Sequence, residues 1–214
     1  MLLFILVGLI CYFVFIHHKT RKEFGIIRIV QRLLPRRLLV GIRRKELRQI
    51  IREKDAVVID RFDRLIHTCP ILDFSESITL NEFFDRVSEV LSKRLGMDKD
   101  EICKLLWERE RESSTVITRG LAIPHIVIPG EKRFDIVLAR CKKGIIFNEG
   151  YPPVNIAFIL VGTKEERNFH LKALAAIAQI AQDKEFDEKW LEAQTLEELR
   201  NIILLAERKR FGPK

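Results

Sequence analysis

The chain begins with sixteen residues, MLLFILVGLICYFVFI, that carry no charge, and the thirty-eight that follow hold thirteen Lys and Arg against three Glu. This contrast divides the chain before any fold is considered. The formal charge of +8 is local: residues 17–54 alone sum to +10, which leaves −2 for everything beyond them. A globular portion with no basic surplus has little with which to grip phosphate backbones, so nucleic-acid binding is excluded as a main function.

The apolar run ends in Phe15-Ile16-His17-His18-Lys19, with no basic residues before it and no small-x-small cleavage site after it. A retained transmembrane helix over residues 1–18 is therefore expected rather than a cleaved signal peptide. At ~1.5 Å per residue it would cover about 24–27 Å, short of a ~30 Å hydrocarbon core, and Lys19 and Arg21 would snorkel to close the gap. The other reading is a buried N-terminal helix. The cations just after the run place the rest of the chain on the cytoplasmic side of the cell (inner) membrane, as a single-pass protein. Cys11, Cys69, Cys103 and Cys141 are scattered, without CxxC or ligand-like spacing. They read as reduced thiols, and neither a disulfide framework nor a metal site is expected.

Residues 19–67 are expected to be a basic juxtamembrane helical linker. FGIIRIVQRLLPRRLLVGIRRKELRQIIREK mixes Ile, Leu and Val with Arg at helical spacing and is broken by Pro35. It suits interfacial helices on anionic headgroups, or a stalk that holds a domain off the bilayer. The stretch from Asp55 to Thr68 is ambiguous and is assigned to the linker.

From residue 68 to 214 the pattern is that of one folded domain. Thr79 and Glu82 form a capping box; Phe83, Phe84, Val87, Val90, Leu91 and Leu95 repeat at helical period, and Gly96 stops the helix. A second helix runs from Asp98 to about Arg111. SSTVIT predicts a short strand or a loop entry, FDIVLARCKKGIIF two short strands hinged at Lys142-Lys143-Gly144, and VNIAFILVG a central strand. KEERNFHLKALAAIAQIAQD is helical, with Phe169, Leu171, Leu174, Ala175, Ile177, Ala178 and Ala181 along its apolar face. DEKWLEAQ is a short helix, and a last one opens on a Thr195/Glu198 capping box. Strands mixed with helices on one core predict an α/β layered domain, a mixed β-sheet flanked by helices.

The stretch TRGLAIPHIVIPG, residues 118–130, fixes one histidine behind a proline and walls it with Leu121, Ile123, Ile126, Val127 and Ile128. A neutral imidazole is a competent nucleophile near pH 7, and a phosphorus–nitrogen bond stays labile enough to pass its phosphoryl group onward. Apolar walls would disfavour imidazolium and keep water away. Phosphoryl transfer needs positive donors around its equatorial oxygens, which Arg109 would supply as a fork, with Arg119 as a second candidate. His170 falls in the first two turns of its helix, where the dipole favours an anion. Each has a plainer reading: a core histidine for His125, a half-buried helix histidine for His170, and a solvated helix face for Arg109. Ser113, Ser114 and Thr115 are phosphate ligands or simply loop and cap hydroxyls.

RE…ST…TRGLAIPH followed by HLKALAAIA resembles the enzyme IIA domains of the mannitol/fructose class in the phosphoenolpyruvate-dependent sugar phosphotransferase system, nitrogen-regulatory relatives included. The resemblance covers about residues 68–212. It rests on Arg109-Glu110, on Gly120-x-Ala122-x-Pro124-His125, and on His170-Leu171 opening a helix. The pattern departs at Val116 and Thr118, where glycines are common, and at Ile126, where a small residue is common. The resemblance implies that His125 accepts a phosphoryl group from the phosphocarrier protein HPr, supported by Arg109 and His170, with no cofactor. The onward partner is a sugar-specific acceptor protein or a membrane transporter that the domain regulates. An interaction module controlling a transporter or channel without catalysis is the alternative. One expected span cannot form a permease, and GxSxG, HExxH or clustered carboxylates that would mark a hydrolase are absent.

Overall fold

In the computed structural model of the protein, residues 59–118, 120–148 and 152–210 are described. The expected anchor over 1–18 and most of the expected linker lie outside them. Among the described residues, no helix is long and apolar enough to cross a membrane.

The described chain runs α1 (Arg61–Thr68), β1 (Ile71–Phe74), β2 (Ile78–Thr79), α2 (Leu80–Leu95), α3 (Lys99–Glu112), β3 (Val116–Thr118), β4 (Leu121–Ala122), β5 (His125–Ile128), β6 (Phe134–Ile146) and β7 (Val154–Thr163). A 3₁₀ turn, Lys164–Glu166, then leads into α4 (Arg167–Ala181), α5 (Phe186–Glu192) and α6 (Leu196–Leu204). The sheet is mixed, with order β1-β6-β7-β4-β3. β6 and β7 are antiparallel, β1 and β2 lie parallel to β6 one after the other, and β4 and β5 do the same along β7.

β7 is central because both of its faces are apolar. Ile156, Phe158 and Leu160 pack towards α1, α4, α5 and α6, while Ala157, Ile159 and Val161 pack towards α2 and α3. The domain therefore has two cores separated by one sheet, an α/β layering of the kind the alternation of elements predicts.

Three expectations change. Residues 61–68, assigned to the linker, form a capped helix whose Phe62 and Ile66 are buried in the core. Each such burial contributes about 1.5–3 kcal/mol, too much for a passive connector. Asp60 and Asp63 of this helix also bind Arg208, whose guanidinium lies 2.8 Å from both oxygens of Asp60, so the C-terminal segment is clasped to α1. β6 is one strand rather than two: its register shifts between Arg140 and Ile145, with Gly144 at φ +91°, so the chain bulges and continues. On α4 the buried stripe is Ala173, Ala176, Ile177 and Ile180, and Leu171, Ala175 and Ala178 face outward. Ala173 and Ala176 let this helix lie close to the sheet while Ile177 and Ile180 fill the core beneath it.

The Thr79/Glu82 box and the left-handed Gly96 cap are as expected. At α6 only half of the box forms: Thr195 accepts from the Glu198 amide, while the Glu198 carboxylate accepts from the Gln194 amide. Arg140 is 1 % exposed within the sheet. Its fork takes both oxygens of Asp73 at 2.8 and 2.6 Å, and its remaining nitrogen donates to the carbonyls of Trp190 and Ala193 at the end of α5. The buried charge is paired and hydrogen-bonded, which is the condition for tolerating it.

Candidate functional site

The stretch alongside β7 is broken in two by Ile123 and Pro124. Proline has no amide hydrogen to give the ladder, and the Pro124 carbonyl accepts from the Leu160 amide at 2.9 Å. The Ile123 amide leaves the β7 ladder and donates across to the Thr115 carbonyl, 2.9 Å away. Gly120, at φ +89°, turns the chain into β4, and its carbonyl accepts from the amides of both Asn155 and Ile156. His125 follows as the first residue of β5, opposite Leu160. Ile126 and Ile128 point into the α2/α3 core, and β5 has no strand on its outer side among the described residues. The histidine is thus half-buried at the sheet margin, between the helical layers.

Both ring nitrogens are engaged. Nδ1 lies 2.9 Å from the Ile123 carbonyl, and Nε2 accepts from Nε of Arg109 at 3.1 Å. A carbonyl only accepts and a guanidinium only donates, so the two contacts independently require the proton on Nδ1 and the lone pair on Nε2. Arg109 sits in the last turn of α3, where Nη1 donates to the carbonyl and hydroxyl of Ser113 at 2.9 and 3.1 Å. That contact aims the guanidinium and satisfies a helix-end carbonyl.

His170 comes from the opposite layer, in the first turn of α4. Its ring centre is 5.5 Å from that of His125, with the planes at 73°, and Phe134 closes on its other side at 5.5 Å. Burial, followed by the neighbouring His125, pushes its pKa down to about 4. Desolvation of an imidazole therefore falls on His170. Its Nε2 is buried with no hydrogen-bond partner among the described residues.

The hydroxyl residues divide. Ser114 is exposed and its Oγ accepts from the Val116 amide at 3.3 Å, a local turn contact. Thr115 is 2 % exposed, and its amide and hydroxyl both donate to Oε2 of Glu110, at 3.0 and 2.5 Å. Its hydroxyl is committed to the scaffold rather than open to a phosphoryl group. Arg119 lies outside the described residues. Of the expected wall, Val127 is instead 60 % exposed, and with Ile117 on β3 and Leu171 on α4, at 62 % and 56 %, it gives the site elements an apolar outer surface. Sequence reasoning gave no role to Glu110 or Phe134. The five-residue interval from Glu110 to Thr115 across a helix end was the available signal for the first, and nothing local marks the second.

The family described as "Phosphoenolpyruvate-dependent sugar phosphotransferase system, EIIA 2" matches residues 74–205, a range that holds Arg109, His125 and His170. The nitrogen regulatory protein of Bradyrhizobium diazoefficiens is 27 % identical over 111 residues, 51 % of this chain and 72 % of that protein. The mannitol-specific phosphotransferase enzyme IIA component of Geobacillus stearothermophilus is 30 % identical over 111 residues, 50 % of this chain and 74 % of that one. Among solved structures, the nitrogen regulatory protein IIA-Ntr from Neisseria meningitidis superposes with a TM-score of 0.58 at 25 % identity, covering 65 % of this chain and 94 % of that one. With well over half of its length inside the match, the chain belongs to the EIIA 2 family of the phosphoenolpyruvate-dependent sugar phosphotransferase system.

Proposed function

We propose that the domain accepts a phosphoryl group on Nε2 of His125 from the phosphocarrier protein HPr. It then passes the group to a sugar-specific acceptor protein, or uses its phosphorylation state to regulate a membrane transporter at a bilayer to which residues 1–18 hold it. The observation that carries this reading is the pair of contacts that leave the His125 lone pair on Nε2 beneath a guanidinium.

Attack by Nε2 forms the nitrogen–phosphorus bond as the donor's bond to phosphorus breaks and the donor keeps that electron pair. Arg109 shifts its hydrogen bond from the ring nitrogen to an equatorial phosphoryl oxygen, where charge collects. The unpartnered Nε2 of His170 belongs to a ring whose centre is 5.5 Å from that of His125, at the start of a helix whose dipole favours an anion. The proton retained on Nδ1 makes the departing imidazole neutral when the group moves on, which lowers the barrier to onward transfer. Ile117 on β3, Val127 on the strand of His125 and Leu171 next to His170 offer a protein partner exposed apolar area. A regulatory use is supported by the nitrogen regulatory proteins among the relatives, and by tethering, which raises effective concentration at a membrane partner to about the millimolar order.

The test is incubation with phosphoenolpyruvate, the first enzyme of the system and HPr. Wild type gains one acid-labile phosphoryl group, and His125→Ala gains none. Equal labelling of the two, or a label stable to acid, refutes the assignment. A pull-down from detergent-solubilised membranes then separates the two uses. His125-dependent recovery of a transporter supports regulation, and phosphate chased onto sugar supports relay.

A further inference from the structure

The last turn of α3 reaches His125 twice. Arg109 contacts Nε2 directly. Glu110, the next residue, leads to the other nitrogen through three hydrogen-bonded steps. Its Oε2 accepts from both the amide and the hydroxyl of Thr115, the Thr115 carbonyl accepts from the Ile123 amide at 2.9 Å, and the Ile123 carbonyl faces Nδ1 at 2.9 Å. We propose that Glu110 is a positioning residue that fixes the Ile123 carbonyl, and through it the Nδ1–H tautomer of His125. The proposal rests on phosphoryl acceptance at Nε2 for its consequence in the reaction, though not for the tautomer itself.

The strut is needed because the backbone here is irregular. The β3–β4 pairing shifts register between Val116 and Thr118, β4 is only two residues long, and Pro124 gives no amide to the ladder. Ile123 lies just beyond β4, and its amide is held by the carbonyl of Thr115, just before β3, in continuation of the β3–β4 pairing. Thr115 is fixed by a carboxylate, and hydrogen bonds to ionised acceptors are about twice as strong as neutral ones. With the carbonyl displaced, one of the two contacts that select Nδ1–H is lost and only the Arg109 donor still favours it over Nε2–H. The second tautomer places hydrogen on the nucleophilic nitrogen and faces the Arg109 donor with another donor. A misplacement of about 1 Å in such a constellation costs on the order of a hundredfold in rate.

The experiment compares wild type, Glu110→Ala, Glu110→Gln and Thr115→Val in the full chain, each with two measurements. The first is the imidazole tautomer by nitrogen-15 NMR, and the second is the rate of phosphoryl uptake from phosphorylated HPr. Wild type is expected almost wholly as Nδ1–H. Glu110→Ala is expected as a mixture, with uptake slowed roughly tenfold to a hundredfold. Glu110→Gln keeps an acceptor oxygen and recovers most of both properties. Thr115→Val loses the hydroxyl but keeps the amide and falls between, and it carries the test if Glu110→Ala does not fold. An unchanged tautomer in every folded variant overturns the proposal even where rates fall, since a purely structural loss would slow uptake without moving the proton. If wild type takes up no phosphoryl group, the functional reading fails while the tautomer comparison still decides the role of Glu110.

Discussion

In the unmodified protein His170 is held neutral, its pKa at about 4 through burial first and the adjacent His125 second. A phosphoryl group on His125 would replace that neighbour's influence with negative charge. The ring centres are 5.5 Å apart. At that separation and an effective dielectric constant of ~20, one opposite charge contributes about 3 kcal/mol, or about 2 pKa units. His170 is therefore expected to titrate near 4 before phosphorylation and at about 6 after it. Proton–carbon NMR of its Cε1–H as a function of pH reads both midpoints. The same depression links to stability. Above pH ~6.5 the residue is neutral in both folded and unfolded chains. As pH falls from there towards about 4, the unfolded chain takes up a proton that the fold refuses, and stability is lost across that window. A midpoint near 6.5 in the unmodified protein, or a shift under half a unit on phosphorylation, would refute the reasoning.

Arg109→Lys keeps the charge but not the fork, so stopped-flow transfer should slow about a hundredfold, while loss of the Ser113 contact lowers Tm by only about 2–4 °C. Arg140→Ala leaves Asp73 without its partner and the end of α5 uncapped, and urea denaturation should register a loss of about 3–5 kcal/mol with no change in the His125 tautomer. Gly144→Ala sets a Cβ 2.2 Å from the Cβ of Pro153 at a backbone φ of +91°, a strain on the order of 2 kcal/mol or more, visible as a lowered denaturation midpoint.

Helices with caps were legible because Thr79, Glu82 and Gly96 are local chemistry, decided within a turn. The central position of β7 was legible because a run apolar on both faces has few other places to go. The bulge in β6 was not: Lys142-Lys143-Gly144 reads like a turn, and only the partner strand across the sheet decides that the chain continues. α1 was missed for a related reason, since its buried apolar residues Phe62 and Ile66 have meaning only against α6 and β6, far along the chain. At the candidate site, His125, Arg109 and His170, singled out by residue type and by the family resemblance, lie together in space. Thr115 was left open between phosphate ligand and scaffold hydroxyl, because only the position of its acceptor, Glu110, decides between the two.

The sheet keeps two cores apart, and His125 stands at its margin with Arg109 drawn from one layer and His170 from the other. Neither layer alone can assemble the reacting group. Detaching α4 from the sheet would remove the second imidazole, and fraying the end of α3 would release the guanidinium, so on the proposed mechanism an opening of either segment detected by amide exchange is expected to inactivate the site. If the proposed phosphoryl uptake at His125 holds, it would report the integrity of both layers at once, and a form with one layer opened would take up no phosphoryl group.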